Sequence, residues 1–209
     1  RPEAFMSPES EATRNWGIYA HIPTCRVRCP YCSFNVVQQD ELRSWSQFTD
    51  RLIAEYQLRK PRFPESASTL YLGGGTPSLM PTGELARLMS ALEIADEAEI
   101  TIEANPEDVS PEWLTRVVSL GVNRISLGVQ STAASALKRL GRAHTMVHLR
   151  DAITAISSST LRSWSVDLMF GLPDQSIAAL RADLETVLTF SPPHLSLYGL
   201  TIEPETPFE

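Results

Sequence analysis

The sequence predicts an α/β fold built around a parallel sheet. Segments with the apolar pattern of strands alternate with segments of helical periodicity along nearly the whole chain. Polar and glycine-rich motifs directly follow several strands, at the edge where parallel α/β folds bind ligands. Six strands are too few for a closed eight-stranded barrel. An open six-stranded partial barrel and a doubly wound sheet both fit this pattern.

Each element has a local signal. Strands are expected at 17–22, 69–72, 99–105, 123–129, within 161–173 and at 194–200. Helices are expected at 40–60, 82–95, 110–121, 131–140, 146–157 and 176–190. The first helix carries apolar residues at helical spacing: Trp45, Phe48, Leu52 and Tyr56. Thr82 is the expected N-cap of the second helix. The third helix is expected to have Ser110 as its N-cap and Pro111 as its first residue, and to end at Gly121.

The composition excludes several classes of protein. A chain of 209 residues with 43% apolar and 21% charged residues is long enough for one domain with a substantial core. Its net charge of −7 argues against a broad nucleic-acid-binding surface, because such a surface is basic. The sequence has no apolar run of about 18 residues, so we expect no membrane span. Its first residues lack the apolar core of a secretory signal.

The three cysteines lie together in one short segment, IPTCRVRCPYCSF. Cys25, Cys29 and Cys32 are an odd number at close spacing, which makes a poor disulfide framework. A short loop can bring three thiolates at this spacing to one metal centre. In a [4Fe–4S] cluster they would leave one iron open to a ligand. A zinc loop completed by His21, and cysteines without a metal, are the alternatives.

The motifs around the cysteines resemble a known family. The Cys-x3-Cys-x2-Cys pattern, with Tyr31 before the last cysteine, resembles the signature of the radical S-adenosylmethionine (SAM) superfamily. GGGTP at 73–77 is similar to that superfamily's glycine motif. The blocks YAHIPTCRVRCPYCSF, LYLGGGTPS, ITIEANPE, NRISLGVQS, VDLMFGLPDQ and LSLYGLTIEPETPF resemble, in this order, the oxygen-independent coproporphyrinogen III oxidase group. The ending LTIEPETPF is most similar to the haem-chaperone (HemW-like) branch.

The resemblance implies a fold and a cofactor. We expect an open partial (β/α)6 barrel of the radical SAM type over 17–209, preceded by an N-terminal extension at 1–16. The C-terminal domain of the family is expected to be absent from the chain. Cys25, Cys29 and Cys32 would hold three irons of a [4Fe–4S] cluster, and SAM would chelate the fourth. An electron from the cluster would cleave SAM to a 5′-deoxyadenosyl radical.

The same resemblance implies which residues contact SAM. They are Tyr19, Tyr31, Gly74, Gly75, Thr76, Glu103, Gln130, Arg142 and Asp167. Glycines let the backbone approach a ligand closely, although a tight turn after a strand would also explain them. Glu103 lies within a strand and needs a partner there, so a structural ion pair is its alternative role. Asp167 also lies within a strand, which is a costly place for an unpaired charge. A guanidinium such as that of Arg142 suits a carboxylate, although it could also be a solvated surface group. The sequence identifies no catalytic residue, and it leaves open whether one or two SAM molecules bind.

Two functions of this group stay open. One is a haem chaperone, whose full-length form binds haem and delivers it to haem proteins. The alternative is an oxygen-independent coproporphyrinogen III oxidase, which decarboxylates coproporphyrinogen III in porphyrin biosynthesis. The coproporphyrinogen dehydrogenases carry a further cysteine where this chain has Phe34, and this difference favours the chaperone.

The expected partners follow from the same resemblance. They are haem or a porphyrin and the proteins that accept haem. The family's haem-associated His-Asn-Arg-x-Tyr motif has no counterpart here, because no histidine of the chain is followed by Asn. Haem binding is therefore expected of the full-length protein. An oxygen-sensitive cluster suits a reducing compartment, so we expect a cytoplasmic protein.

Overall fold

The computed structural model describes residues 16–209, and the predicted N-terminal extension at 1–16 lies outside them except for its last residue. The strands are β1 (Gly17–Ile22), β2 (Thr24–Cys25), β3 (Val37–Gln38), β4 (Ala67–Gly74), β5 (Ile94–Ala104), β6 (Arg124–Gln130), β7 (Ser163–Phe170) and β8 (His194–Gly199). The helices are α1 (Trp45–Arg59), α2 (Thr82–Ala91), α3 (Pro111–Ser119), α4 (Ala134–Arg139), α5 (Met146–Ser157) and α6 (Ile177–Leu188).

Six strands form one parallel sheet in the order β1-β4-β5-β6-β7-β8, which is also their order along the chain. A doubly wound sheet reverses its strand order at a switch point, and this sheet does not. The open partial barrel is therefore the architecture, and the predicted parallel α/β fold is confirmed. Within the described residues, β1 and β8 form its two unjoined edges.

The two faces of the sheet differ in polarity because side chains alternate along each strand. Fully buried aliphatic residues such as Leu72, Ile102 and Val166 belong to the core with the helices. The alternate positions are polar on neighbouring strands, and hydrogen bonds join several of them, including Tyr71 to Glu103. A closed barrel fills its interior with bulky apolar side chains. The polar concave face here is instead available to a polar ligand.

The helix starts and stops show what local sequence decides. The Ser110 hydroxyl accepts a hydrogen bond from the Trp113 amide at 3.1 Å, which confirms the predicted cap of α3. Gly121 follows the helix at a φ of +101°. The cap predicted at Thr82 is wrong, because Pro81 occupies that position and makes no side-chain bond. Helix α1 starts at Trp45 rather than at 40, after its cap Ser44.

The predicted second helix is too long at its end. Helix α2 stops at Ala91, because Leu92 takes an extended backbone with ψ at 134°. The carbonyl of Glu93 accepts a hydrogen bond from the Ala67 amide at 2.9 Å, and Ile94 then pairs with the same residue. Pairing with β4 therefore decides the structure of a segment whose apolar pattern also suits a helix. No helix in the described part of the chain is long and apolar enough to cross a membrane.

Candidate functional site

A cavity of about 430 Å³ opens at the carboxyl ends of the parallel strands. Eleven of the twelve residues predicted for the site line it: Cys25, Cys29, Tyr31, Cys32, Gly74, Gly75, Thr76, Glu103, Gln130, Arg142 and Asp167. They come from five different strands or the loops that follow them. The register of the parallel sheet brings these ends together, as expected for ligand sites in such folds.

The cysteine loop is closed by the short pairing of β2 with β3. The Gln39 amide donates to the Cys25 carbonyl at 2.8 Å, and the Cys32 amide donates to the Cys29 carbonyl at 3.0 Å. All three thiols are free and partly exposed on the cavity wall. Burial raises the pKa of the Cys25 and Cys32 thiols, and the nearby Cys29 thiol adds to both shifts. A bound metal offsets this effect, because it ligates the thiolate form.

The glycine motif runs close against the base of the cysteine loop. The Gly75 amide donates to the Ile22 carbonyl at 2.8 Å, and the Thr76 amide donates to the Thr24 carbonyl at 2.7 Å. A Cβ atom on Gly75 would lie only 2.7 Å from the Thr24 carbonyl oxygen. Gly74 has a φ of +121°, a region that side chains disfavour. Both glycines are therefore required by the backbone path along the cavity.

Glu103 holds the glycine motif from the concave face of the sheet. Its Oε1 accepts a hydrogen bond from the Tyr71 hydroxyl at 2.9 Å, and its Oε2 accepts one from the Gly74 amide at 3.1 Å. Burial raises the pKa of this carboxyl, while the two donors counteract the shift. The alternative role predicted for Glu103, an ion pair, is not formed among the described residues.

Arg142 lies largely buried between the cysteine loop and the sheet, so it is not the solvated surface group considered as its alternative. Its guanidinium donates to the Gly128 carbonyl at 2.8 Å and to the side-chain oxygen of Asn105. One of its nitrogens lies 4.0 Å from Cys29 Sγ. Its Nε is buried without a hydrogen-bond partner in residues 16–209. The guanidinium therefore brings positive charge to the thiol that sits nearest to it.

Asp167 and Gln130 complete the wall on the opposite side. The Oδ2 atom of Asp167 accepts a hydrogen bond from the Ser126 hydroxyl at 2.8 Å. Its Oδ1 is buried and has no partner among the described residues, although Asp167 lines the cavity. Gln130 ends β6 at a φ of +65°, where the register of the sheet shifts. An unpaired carboxylate oxygen beside a cavity can accept a hydrogen bond from a ligand.

The two tyrosines predicted to contact SAM differ in position. Tyr31 lines the cavity and lies beside Phe208, with ring centres 6.2 Å apart. Tyr19 lies outside the cavity lining and is 58% exposed. Its ring packs near Tyr71, and its hydroxyl lies 3.2 Å from His21 Nδ1. Tyr19 is thus the one predicted site residue that the structure does not bring to the cavity.

The zinc hypothesis finds no support at His21. Its Nε2 is hydrogen-bonded to the Asn35 carbonyl at 2.8 Å, and its Nδ1 contacts the Tyr19 hydroxyl. Among residues 16–209, no three His, Cys, Asp or Glu side chains are arranged around a single metal ion, the cysteines included. In a [4Fe–4S] cluster, by contrast, each cysteine ligates a different iron. Thiols spread along a cavity wall, with a hydroxyl and a guanidinium beside their sulfurs, fit that donor set.

A buried carboxylate missed by the sequence analysis ties three loops of the site together. Asp108 accepts a hydrogen bond from the Ser78 hydroxyl at 2.7 Å and forms an ion pair with Arg26 of the cysteine loop. Its side chain is almost fully buried. The acidic residue follows a predicted strand, which was the available signal. Its partners depend on loop conformations that no periodicity in the sequence reveals.

Comparisons with known proteins give the family of the chain. The model of the radical SAM superfamily matches residues 19–187. The chain is 41% identical over 202 residues to the haem chaperone HemW of Escherichia coli, and 38% identical over 200 residues to that of Haemophilus influenzae. Each match covers 91% of this chain and 52% of the relative. The chain thus spans about half the length of these relatives.

A solved structure supports the same relationship. The radical SAM enzyme coproporphyrinogen III oxidase (HemN) of Escherichia coli superposes with a TM-score of 0.84 and 28% identity. The superposition covers 91% of this chain and 45% of that one. A family model that matches most of the chain, the ordered cysteine loop and the cavity at the strand ends lead to one conclusion. The chain belongs to the radical SAM superfamily.

Proposed function

We propose that residues 17–209 form the cofactor-binding domain of a haem chaperone of the HemW type. Membership of the radical SAM superfamily implies a [4Fe–4S] cluster and SAM. Cys25, Cys29 and Cys32 would ligate the cluster, and the other cavity residues would contact SAM. When bound, these groups supply one-electron chemistry.

The residues of the cavity have distinct tasks in this proposal. Arg142 offsets the negative charge of the thiolates from its place near Cys29. Glu103, held by the Tyr71 hydroxyl and the Gly74 amide, would accept a hydrogen bond from a cationic group of SAM. Asp167 would offer its unpaired oxygen to another donor of the same ligand. Because both carboxylates are fixed by protein donors, they are oriented before the ligand arrives.

The observation that carries the chaperone over the enzyme is Phe34. This side chain is 63% exposed and lines the cavity mouth, at the position where coproporphyrinogen dehydrogenases carry a further cysteine. Val27 and Tyr198, which are also exposed, extend the apolar mouth, and Arg28 adds an exposed cation beside it. A flat apolar macrocycle with carboxylate substituents, such as haem, matches that combination.

Coproporphyrinogen III oxidase remains the second candidate because of one specific observation. The sheet superposes on the HemN structure with a TM-score of 0.84, so the cavity has the same scaffold as in that enzyme. A shared scaffold supports a shared cofactor more strongly than a shared substrate, because function depends on the site that a fold carries.

Anaerobic assays of the reconstituted full-length protein separate the two functions. We expect it to bind haem and to leave coproporphyrinogen III unchanged in the presence of SAM and a reductant. Phe34→Ser is expected to weaken haem binding by about tenfold through the loss of buried apolar area. Leu58→Ser, at an exposed position on α1, is the matched control. Formation of protoporphyrinogen IX would establish the oxidase instead.

A further inference from the structure

We propose that Arg124 is a positioning residue, which acts on Asp167 through the hydroxyls of Ser165 and Ser126. The inference concerns how the protein prepares the carboxylate, and its link to SAM rests on the proposed function. Arg124 lies at the start of β6, at a distance from the cysteine loop, and does not line the cavity.

Three hydrogen bonds connect the guanidinium to the carboxylate. An Arg124 nitrogen lies 3.1 Å from Ser165 Oγ. That oxygen lies 3.0 Å from Ser126 Oγ, and Ser126 Oγ lies 2.8 Å from Asp167 Oδ2. Ser126 and Ser165 are both buried, at 4% and 0% exposure, so water does not compete for these bonds. Each of the three bonds crosses between β6 and β7, whose register places Ser126 beside Ser165.

The chemistry of the two ends fixes the direction of every bond. A guanidinium can only donate, so the Ser165 oxygen accepts from Arg124 and keeps its own proton for another partner. An ionised carboxylate can only accept, so Ser126 donates its proton to Asp167. Ser126 must then accept from Ser165. All three bonds therefore point towards the carboxylate, and bonds aligned in this way polarise and strengthen one another.

The charges around Asp167 explain why such a relay is needed. Burial raises the pKa of Asp167 and so opposes its ionisation. Glu103 and Tyr71 face it from β5 and β4, and a negative charge on either opposes its ionisation further. The hydroxyls of Ser126 and Ser196 act most strongly in the opposite direction, followed by the charges of Arg124 on β6 and His194 on β8. Within the described residues Arg124 forms no ion pair, so the relay is its route to a carboxylate.

The relay also leaves one oxygen of Asp167 free. Oδ2 is occupied by Ser126, whereas Oδ1 forms no hydrogen bond in residues 16–209 and belongs to a residue that lines the cavity. The Ser196 hydroxyl, opposite Asp167 on β8, also favours its ionised form. Fixing one oxygen orients the other, in the way that outer partners orient the ligands of metal sites. The structure therefore assigns to Arg124 the task of presenting an ionised, oriented Asp167 to a hydrogen-bond donor.

The test is a direct titration of Asp167 in the intact protein. The carboxyl carbon signal of ¹³C-labelled aspartate is followed by NMR, with Asp167→Asn assigning the resonance. Arg124→Met is expected to raise the pKa of Asp167 by about one unit, equivalent to a tenfold change in ionisation equilibrium. Ser165→Ala, which removes a single oxygen, is expected to raise the pKa of Asp167 in the same way. Arg124→Lys, which keeps the positive charge, should raise it less than Arg124→Met does. Arg116→Met, at an exposed position on α3, is the matched control.

The double variant decides whether the residues act as one chain. Arg124→Met combined with Ser165→Ala should shift the titration no further than either change alone, because one break interrupts the relay. Fully additive shifts, or an unchanged titration in Arg124→Met, would overturn the inference. The affinity of Arg124→Met for SAM is measured in parallel. At pH values below the midpoint of its Asp167 titration, it should become about tenfold weaker than the affinity of wild type. If wild type fails to bind SAM while the titrations shift as expected, the proposed function fails and the relay stands.

Discussion

Single side chains decide whether the cavity can hold a cluster. Cys29 is the thiol nearest to Arg142, and it also contributes to the raised pKa of both other cysteines. It is therefore the thiol that lies closest to a positive charge in the cavity wall. The thiolate, rather than the thiol, binds metal.

Replacing Cys29 with serine is expected to remove most of the iron that the protein binds on reconstitution. A hydroxyl is a poor substitute for a thiolate, and two remaining thiolates hold a cluster weakly. Iron and sulfide per chain are measured after anaerobic reconstitution. Ser33→Ala, in the same loop, should leave both contents unchanged. An equal iron content in wild type and Cys29→Ser would show that Cys29 is not a ligand.

A buried histidine gives the domain a pH-dependent stability. The His144 side chain is 1% exposed, and neither ring nitrogen has a hydrogen-bond partner in residues 16–209. Burial and the positive charge of Arg142 lower the pKa of His144 to about 4. His144 is therefore neutral near pH 7, and its contact with Glu107 at 3.9 Å is not an ion pair under those conditions.

The stability of the protein is expected to fall as the pH drops from about 6.5 to about 4. In that window the unfolded chain takes up a proton on His144 and the native protein does not, so protonation favours unfolding. The loss is on the order of 2 kcal/mol. Urea unfolding at a series of pH values measures it, and His144→Leu should flatten the curve in this window. An identical pH dependence in the variant would contradict the expectation.

At the scale of elements, the close approach of the glycine motif to the cysteine loop can be tested. Gly75→Ala places a Cβ atom 2.7 Å from the Thr24 carbonyl oxygen and 2.8 Å from two backbone atoms of Pro23. Backbone atoms cannot swing aside as a flexible side chain can. The variant is therefore expected to lose about 1–3 kcal/mol of stability, with weakened SAM binding. Gly83→Ala, where a Cβ would meet nothing within 4 Å, is the control.

A buried carboxylate on helix α6 holds the loop that follows β6. Asp183 accepts hydrogen bonds from the Ser131 hydroxyl at 2.9 Å and from the amide of Thr132 at 2.7 Å. Asp183→Ala leaves these buried donors without a partner, and we expect a loss of about 2–3 kcal/mol. Thermal or urea unfolding measures it, with Asp151→Ala at an exposed position on α5 for comparison. A loss of stability below about 0.5 kcal/mol would show that Asp183 does not hold this loop, which follows Gln130 of the cavity wall.

Structural features fixed by neighbouring residues could be predicted from the sequence, whereas those fixed by distant residues could not. The cap at Ser110 is local, since a hydroxyl and an amide three residues apart decide it. The end of α2 is not local, because Glu93 and Ile94 join the sheet through Ala67, which lies far away in the sequence. For the same reason the pairing of β2 with β3 was not predicted. Two strands of two residues each give no periodicity.

At the scale of the whole molecule, the order of the motifs along the chain predicted most of the site. Because the sheet keeps the order of the chain, a residue at the end of each strand necessarily reaches the same edge. Tyr19 departs from this pattern because it lies three residues before the end of β1, with its ring against Tyr71. Asp108 and Arg124 were missed because their roles depend on contacts between distant loops or strands.

The central claim is that the cysteine loop and the cavity beside it form one cofactor site. The most direct measurement is EPR spectroscopy of the full-length protein, reconstituted anaerobically with iron and sulfide and then reduced, with and without SAM. We expect the signal of a reduced [4Fe–4S] cluster, and we expect SAM to change it because SAM binds the iron that no cysteine ligates. A cluster signal indifferent to SAM, or stoichiometric zinc in place of iron, would contradict the account.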